Sequence, residues 1–61
     1  MTVRDAIKMI EADGWFQVRC VGSHRQYHHA MKKGTVTVAG KLSKTLDHDM
    51  VKSVKQQAGL A

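Results

Sequence analysis

Histidine is concentrated near the middle of this 61-residue chain, where His24, His28 and His29 lie close together. Imidazole is the side chain best suited to moving protons near neutral pH. His24 can act as a general base or a general acid. Arg19, Arg25 or a nearby lysine can steady the negative charge that develops in a transition state. RNA is a substrate for which such a set suffices in principle, because it carries its own nucleophile, the 2′-hydroxyl beside each phosphodiester. Cleavage then requires removal of that proton, protonation of the leaving oxygen and stabilisation of the charged phosphate. On spacing alone, however, a histidine beside a turn is more often a surface residue than a catalyst.

Other chemistries fit the spacing less well. The chain has four histidines, which raises the question of zinc. In a regular strand His24 and His28 share a face, but their Cα atoms stand roughly 13 Å apart, whereas zinc bonds are only about 2 Å long. His28 and His29 point to opposite faces, and Cys20 has no CxxC partner. No metal site is expected. A thiol nucleophile at Cys20 fails for a similar reason, since alternation puts it on the face opposite His24. Cys20 reads instead as a small buried hydrophobe. Lys32, Lys33, Lys41 and Lys44 can hold RNA phosphates, with a plainly solvated loop as the alternative. The sequence contains no phosphate-binding loop or dinucleotide fingerprint, and no cofactor is expected.

Composition narrows the partner. Ten Lys and Arg against five Asp and Glu give a formal net charge of +5, which favours an anionic partner. Nucleic acid, a membrane surface and an acidic protein all satisfy that condition. At this length one domain over residues 1–61 is expected, with a thin core and no deep cofactor pocket. Cys20 is the only cysteine, so no intrachain disulfide can form. That suits a reducing, cytoplasmic setting. The N-terminus lacks the apolar run of a signal peptide, and no stretch is long enough to span a bilayer.

Five elements are expected to position these groups. Thr2 caps a first helix, with Asp5 returning the bond, and Val3, Ala6, Ile7 and Ile10 share one helical face. Gly14 suits the left-handed turn that ends it. Trp15 to Val21 has the residue types of a strand. Gly22-Ser23 is a two-residue hairpin turn, and His24 to His29 is the return strand. After a looser turn at Gly34, Thr35 to Val38 alternates as a third strand. A polar link, residues 40–45, precedes a last helix capped by Asp47, with Leu46 stapled against Val51. Met50, Val51, Val54 and Ala58 form its apolar face, and Gly59 ends it. Helix, three strands, helix implies an α+β fold: an antiparallel three-stranded sheet with both helices on one face.

The hairpin register assigns the faces. With Gly22-Ser23 as the turn, Val21 opposes His24, Arg19 opposes Gln26, Val18 opposes Tyr27 and Gln17 opposes His28. Phe16, Val18, Cys20 and Tyr27 then share a face with Arg25 and His29, and this more apolar face should meet the helices. Trp15, Gln17, Arg19, Val21, His24, Gln26 and His28 occupy the open face. Cations, amides, histidines and a tryptophan together suit RNA, through phosphates, 2′-hydroxyls and stacking on unpaired bases. An ordinary solvated face is the alternative. A one-residue shift would reverse every assignment.

The ordered set of local patterns resembles the HicA toxin family. It comprises Asp13-Gly14-Trp15-Phe16, then Gly22-Ser23-His24-Arg25-Gln26-Tyr27-His28-His29, then Val36-Thr37-Val38, and finally Lys55-Gln56-Gln57-Ala58-Gly59-Leu60. These match a D-G-W/F start, a G-S-H-x-x-F/Y run with a later histidine, a V-T-V strand and a K-Q-A-G-L ending. The resemblance implies a double-stranded-RNA-binding-domain-like α-β-β-β-α fold. It implies an endoribonuclease that cuts messenger RNA and stops translation, with His24 as the essential histidine. It also implies a HicB-like antitoxin partner that masks the active site. Many relatives carry proline, often followed by histidine, where this chain has Ala39-Gly40, so no second catalytic group is identified. Two competing readings stand beside the toxin: a non-catalytic RNA-binding module, and a protein-interaction domain for an acidic partner.

Overall fold

A computed structural model describes residues 1–60. The elements are α1 (Val3–Ala12), β1 (Trp15–Val21), β2 (His24–His29), β3 (Val36–Ala39) and α2 (His48–Gln57). The strands form one antiparallel sheet in the order β1-β2-β3. Both helices lie against one face of it. The fold is the expected α+β, double-stranded-RNA-binding-domain-like arrangement. The third strand begins at Val36, one residue later than the alternation suggested.

The start of α1 shows why the link before α2 takes its path. The Thr2 amide donates to the Asp5 carboxylate (2.9 Å), and the Asp5 amide donates to the Thr2 hydroxyl (3.2 Å). Two free amides at the helix start remain. The Val3 amide donates to the Lys44 carbonyl (2.9 Å) and the Arg4 amide to the Leu42 carbonyl (3.1 Å). The polar link therefore completes the first turn of α1. It then pairs Thr45 with Thr2 and donates the Leu46 amide to the Met1 carbonyl.

At α2, the Asp47 carboxylate accepts from the Met50 amide (2.8 Å). The helix closes with the Gly59 amide on the Gln56 carbonyl and the Leu60 amide on the Lys55 carbonyl. This paired ending needs the left-handed backbone of Gly59, at φ +70°. The core joins Val3, Ala6 and Ile10 of α1, Leu46, and Val54 and Ala58 at α2 to Trp15, Tyr27, Val36 and Val38 of the sheet. Ile7, Met9 and Val51 pack around it.

The register departs from expectation within β1. Val21 opposes His24 and Arg19 opposes Gln26, as the turn requires. A β-bulge then falls between Gln17 and Arg19, and Val18 is the extra residue. Beyond it Gln17 opposes Tyr27, Phe16 opposes His28 and Trp15 opposes His29. One unpaired residue shifts the parity of everything before it. Trp15, expected on the open face, is buried at 3% exposure. Gln17 also turns to the helix side, where the Tyr27 hydroxyl donates to its amide oxygen (3.4 Å). Phe16, expected in the core, stands on the open face at 50% exposure. Val18 is likewise exposed. Cys20 faces the helix side but is exposed rather than buried, because this end of β1 extends beyond the helices' cover.

Candidate active site on the open sheet face

Three rows cross the open face. Val21, His24 and Ala39 form the row nearest the hairpin turn, and Arg19, Gln26 and Thr37 form the next. Phe16 and His28 form the third, with Thr35 beside His28: Thr35 Oγ1 lies 3.2 Å from His28 Nε2. The turn that starts the first row has Gly22 at φ +60°, a conformation that two-residue hairpins demand of their first position. His24 therefore sits at the mouth of the hairpin, between two small or branched neighbours, and is exposed.

Hydrogen bonding separates the histidines. His29 lies on the helix side. Its Nε2 is 2.6 Å from the Asp13 carbonyl, and its Nδ1 accepts from the Met31 and Lys32 amides (2.9 and 3.1 Å). Its ring also meets Trp15 edge-on, with centroids 5.2 Å apart. His48 starts α2 and is exposed. His28 shares its bond with Thr35. Among the described residues, no hydrogen-bond partner holds the His24 imidazole, so it is free to meet a ligand.

Two of the cations expected to contact RNA make hydrogen bonds within the protein. Arg25 lies on the helix side, where its guanidinium donates to the Gly40 carbonyl (2.8 Å) and the Ser23 carbonyl (3.3 Å). It ties the turn beside His24 to the end of β3. Lys32 Nζ donates to the Asp13 carboxylate (2.5 Å) and the Ala58 carbonyl (3.0 Å). That bond holds the Asp13 carboxyl below its ordinary value of 3.8. The Trp15 indole donates to the same Ala58 carbonyl (3.3 Å). Asp13, Trp15, His29, Lys32 and Ala58 thus form a lock joining the end of α1, the sheet and the end of α2. Sequence reading missed this lock. Arg19, Gln26 and His28 do share the open face with His24. Lys33, Lys41 and Lys44 are exposed in the connections; Lys41 follows Gly40, whose amide donates to the Ser23 carbonyl, and so lies near the His24 end.

The charge distribution is one-sided. The five acids are Asp5, Glu11, Asp13, Asp47 and Asp49, and all belong to the helices or their caps. No carboxylate side chain occurs from Gly14 to Leu46, the stretch that contains the whole sheet. Arg19 and the histidines of the open face therefore have no acidic neighbour on their own strands. Among the described residues, no three His, Cys, Asp or Glu side chains come together as a metal would require. No helix there is long and apolar enough to cross a membrane.

A hollow lies at the β3 edge of the open face, between β3 and α2, and Thr37 and Ala39 of the rows are among its lining residues. It holds about 150 Å³ and is lined by Val38, Leu46, Met50, Val54 and Gln57 among others. None of its lining residues is titratable, so it offers no acid–base chemistry. The candidate groups lie on the open sheet face instead.

The family model of the HicA toxin of bacterial toxin–antitoxin systems matches residues 3–60. The chain belongs to the HicA toxin family. Comparison with curated proteins gives no match. Membership supports a toxin role and implies an antitoxin partner. The D-G-W and A-G-L patterns of this toxin can now be given physical causes. Asp13 and Ala58 supply acceptors to the lock. Gly14 has φ +104°, and a Cβ there would stand 2.8 Å from His29 Nε2.

Proposed function

We propose that this toxin is an endoribonuclease that cleaves messenger RNA and so inhibits translation, with His24 as general acid or base. The observation that carries the reading is His24 itself: exposed, without a hydrogen-bond partner among the described residues, and set on a sheet face whose strands lack carboxylates. Arg19, Gln26 and His28 lie beside it as RNA contacts, and Lys33, Lys41 and Lys44 extend the basic surface to the connections. Arg25 supports the site by fixing the turn, and Lys32 by closing the lock.

The reaction needs no metal in principle. An RNA strand laid across the rows brings a phosphodiester to His24. The 2′-oxygen bonds to phosphorus as the bond to the 5′-oxygen breaks; the imidazole takes the 2′-hydroxyl proton or delivers one to the leaving oxygen, and water makes the other transfer. Arg19, in the adjacent row, stabilises the charge on the phosphate. A HicB-like antitoxin that covers this face would block the substrate, and the acid-free sheet favours an acidic covering surface. The setting is the cytoplasm, where messenger RNA is met.

One observation favours a second reading, a non-catalytic RNA-binding module. The residue opposite His24 on β3 is Ala39, which cannot transfer a proton. Purified parent protein and His24→Ala decide between them. The toxin reading expects the parent to cleave RNA and arrest growth on induction. It expects folded His24→Ala to lose cleavage by about a hundredfold or more while still binding RNA. Full cleavage by the variant would end the catalytic assignment, and salt-sensitive binding without cleavage by the parent would favour the module.

A further inference from the structure

The open face carries an aromatic ring that phosphate chemistry does not use. Phe16 is 50% exposed because the bulge at Val18 turns it away from the core. It lies directly opposite His28, whose Nε2 is within 3.2 Å of Thr35 Oγ1. Direct cross-strand neighbours bring their Cβ atoms to about 4.5–5.5 Å, so the two side chains form one shelf. Folding alone gains little from an exposed phenyl ring on a basic surface.

We infer that Phe16, with His28 beside it, is a stacking platform for an unpaired RNA base, so that this face selects single-stranded RNA. The inference rests on the RNA-cleaving reading of His24. Along β2, His24 and His28 are separated by roughly 13 Å. Stacked nucleotides advance about 3.4 Å each, so a base on Phe16 lies only a few nucleotides from the phosphate at His24. Arg19 and Gln26 occupy the row between and can hold the intervening backbone. Every base has a π-face, and such stacking tolerates any sequence. A paired base stays within its duplex and cannot reach the ring. The cationic, acid-free surroundings fit a nucleic acid strand better than an apolar protein anchor.

The test uses the full chain in a His24→Ala background, which prevents turnover. Binding is measured to a short oligouridylate, to an RNA duplex and to an abasic oligomer with the same sugar–phosphate chain. Phe16→Ala is expected to weaken oligouridylate binding about tenfold, with duplex and abasic binding unchanged. The dependence on salt should also be unchanged, since no phosphate contact is removed. Phe16→Trp should restore the affinity. Circular dichroism checks that each variant is folded. Equal oligouridylate affinity of Phe16→Ala and its parent overturns the platform while leaving the RNA reading intact. Loss of antitoxin binding alone would likewise overturn it, by assigning Phe16 to a protein interface. No binding to any RNA by the parent would overturn both.

Discussion

His29 bonds through both ring nitrogens to the backbone, at Asp13 on one side and at Met31 and Lys32 on the other. The Nε2–H tautomer satisfies all three partners, since a carbonyl must accept and two amides must donate. His24, five positions earlier, meets none of these partners. Residue type therefore does not separate an imidazole held by the backbone from one that is not, whereas the hydrogen-bond inventory does. The residue most constrained by His29 is Gly14. Its φ of +104° already disfavours a side chain, and the imidazole fills the space a Cβ would take. Gly14→Ala should lose more than about 1 kcal/mol, lowering the melting temperature by about 5 °C or more. An unchanged thermal transition would show that the turn relaxes freely and that the close approach is unimportant.

At the scale of elements, caps, turns and the register beside the hairpin followed from local chemistry, and the register beyond the bulge did not. Thr2 and Asp5 exchange bonds as their three-residue spacing implied, and Asp47 caps α2. Each involves neighbours in the chain, so the sequence carries the whole interaction. Thr2→Ala should cost about 1 kcal/mol, visible as an earlier unfolding midpoint in urea, and Thr2→Ser should recover most of it. If Thr2→Ala unfolds with the parent, the link from β3 is sufficient to hold the helix start. The bulge in β1 is another matter. With Val21 opposite His24, strict alternation places Trp15 and Tyr27 on opposite faces. Only one extra residue in β1 lets both large aromatics enter the core. That conflict of parity was the available signal, and burial of two large rings outweighs the local loss of strand pairing.

On the scale of the whole molecule, the lock ties three distant segments, since Asp13, Lys32 and Ala58 meet only on folding. Its ion pair has a definite pH signature. The bond from Lys32 lowers the Asp13 carboxyl in the folded state from the ordinary 3.8. A carboxylate lowered on folding stabilises the protein above its unfolded value, and that stabilisation is lost as pH falls through the folded value. The Thr2 amide lowers Asp5 in the same sense. Thermal midpoints should therefore fall on acidification through 3.8 and below. Asp13→Asn should melt earlier than the parent at neutral pH and lose less on acidification, with Asp5 accounting for part of the remaining slope. An identical pH dependence in Asp13→Asn and parent would show that the pair contributes nothing to folding.

The sequence by itself determined the α-β-β-β-α order, both helix caps, the hairpin turn and the placement of His24 on the open face. These depend on helical and strand periodicity and on contacts within a few residues, and His24 lies next to the turn that sets its register. Only the tertiary structure decided the far end of that face, beyond the bulge. Phe16 joined the face and Trp15 left it because core packing selected a bulge that alternation cannot encode. The acceptors of Arg25, expected on the helix side, and of Lys32 are carbonyls of Gly40 and Ala58, each far away in the chain. A lysine or arginine goes where an unpaired acceptor needs it, and which acceptors lack partners is known only once the helices are docked.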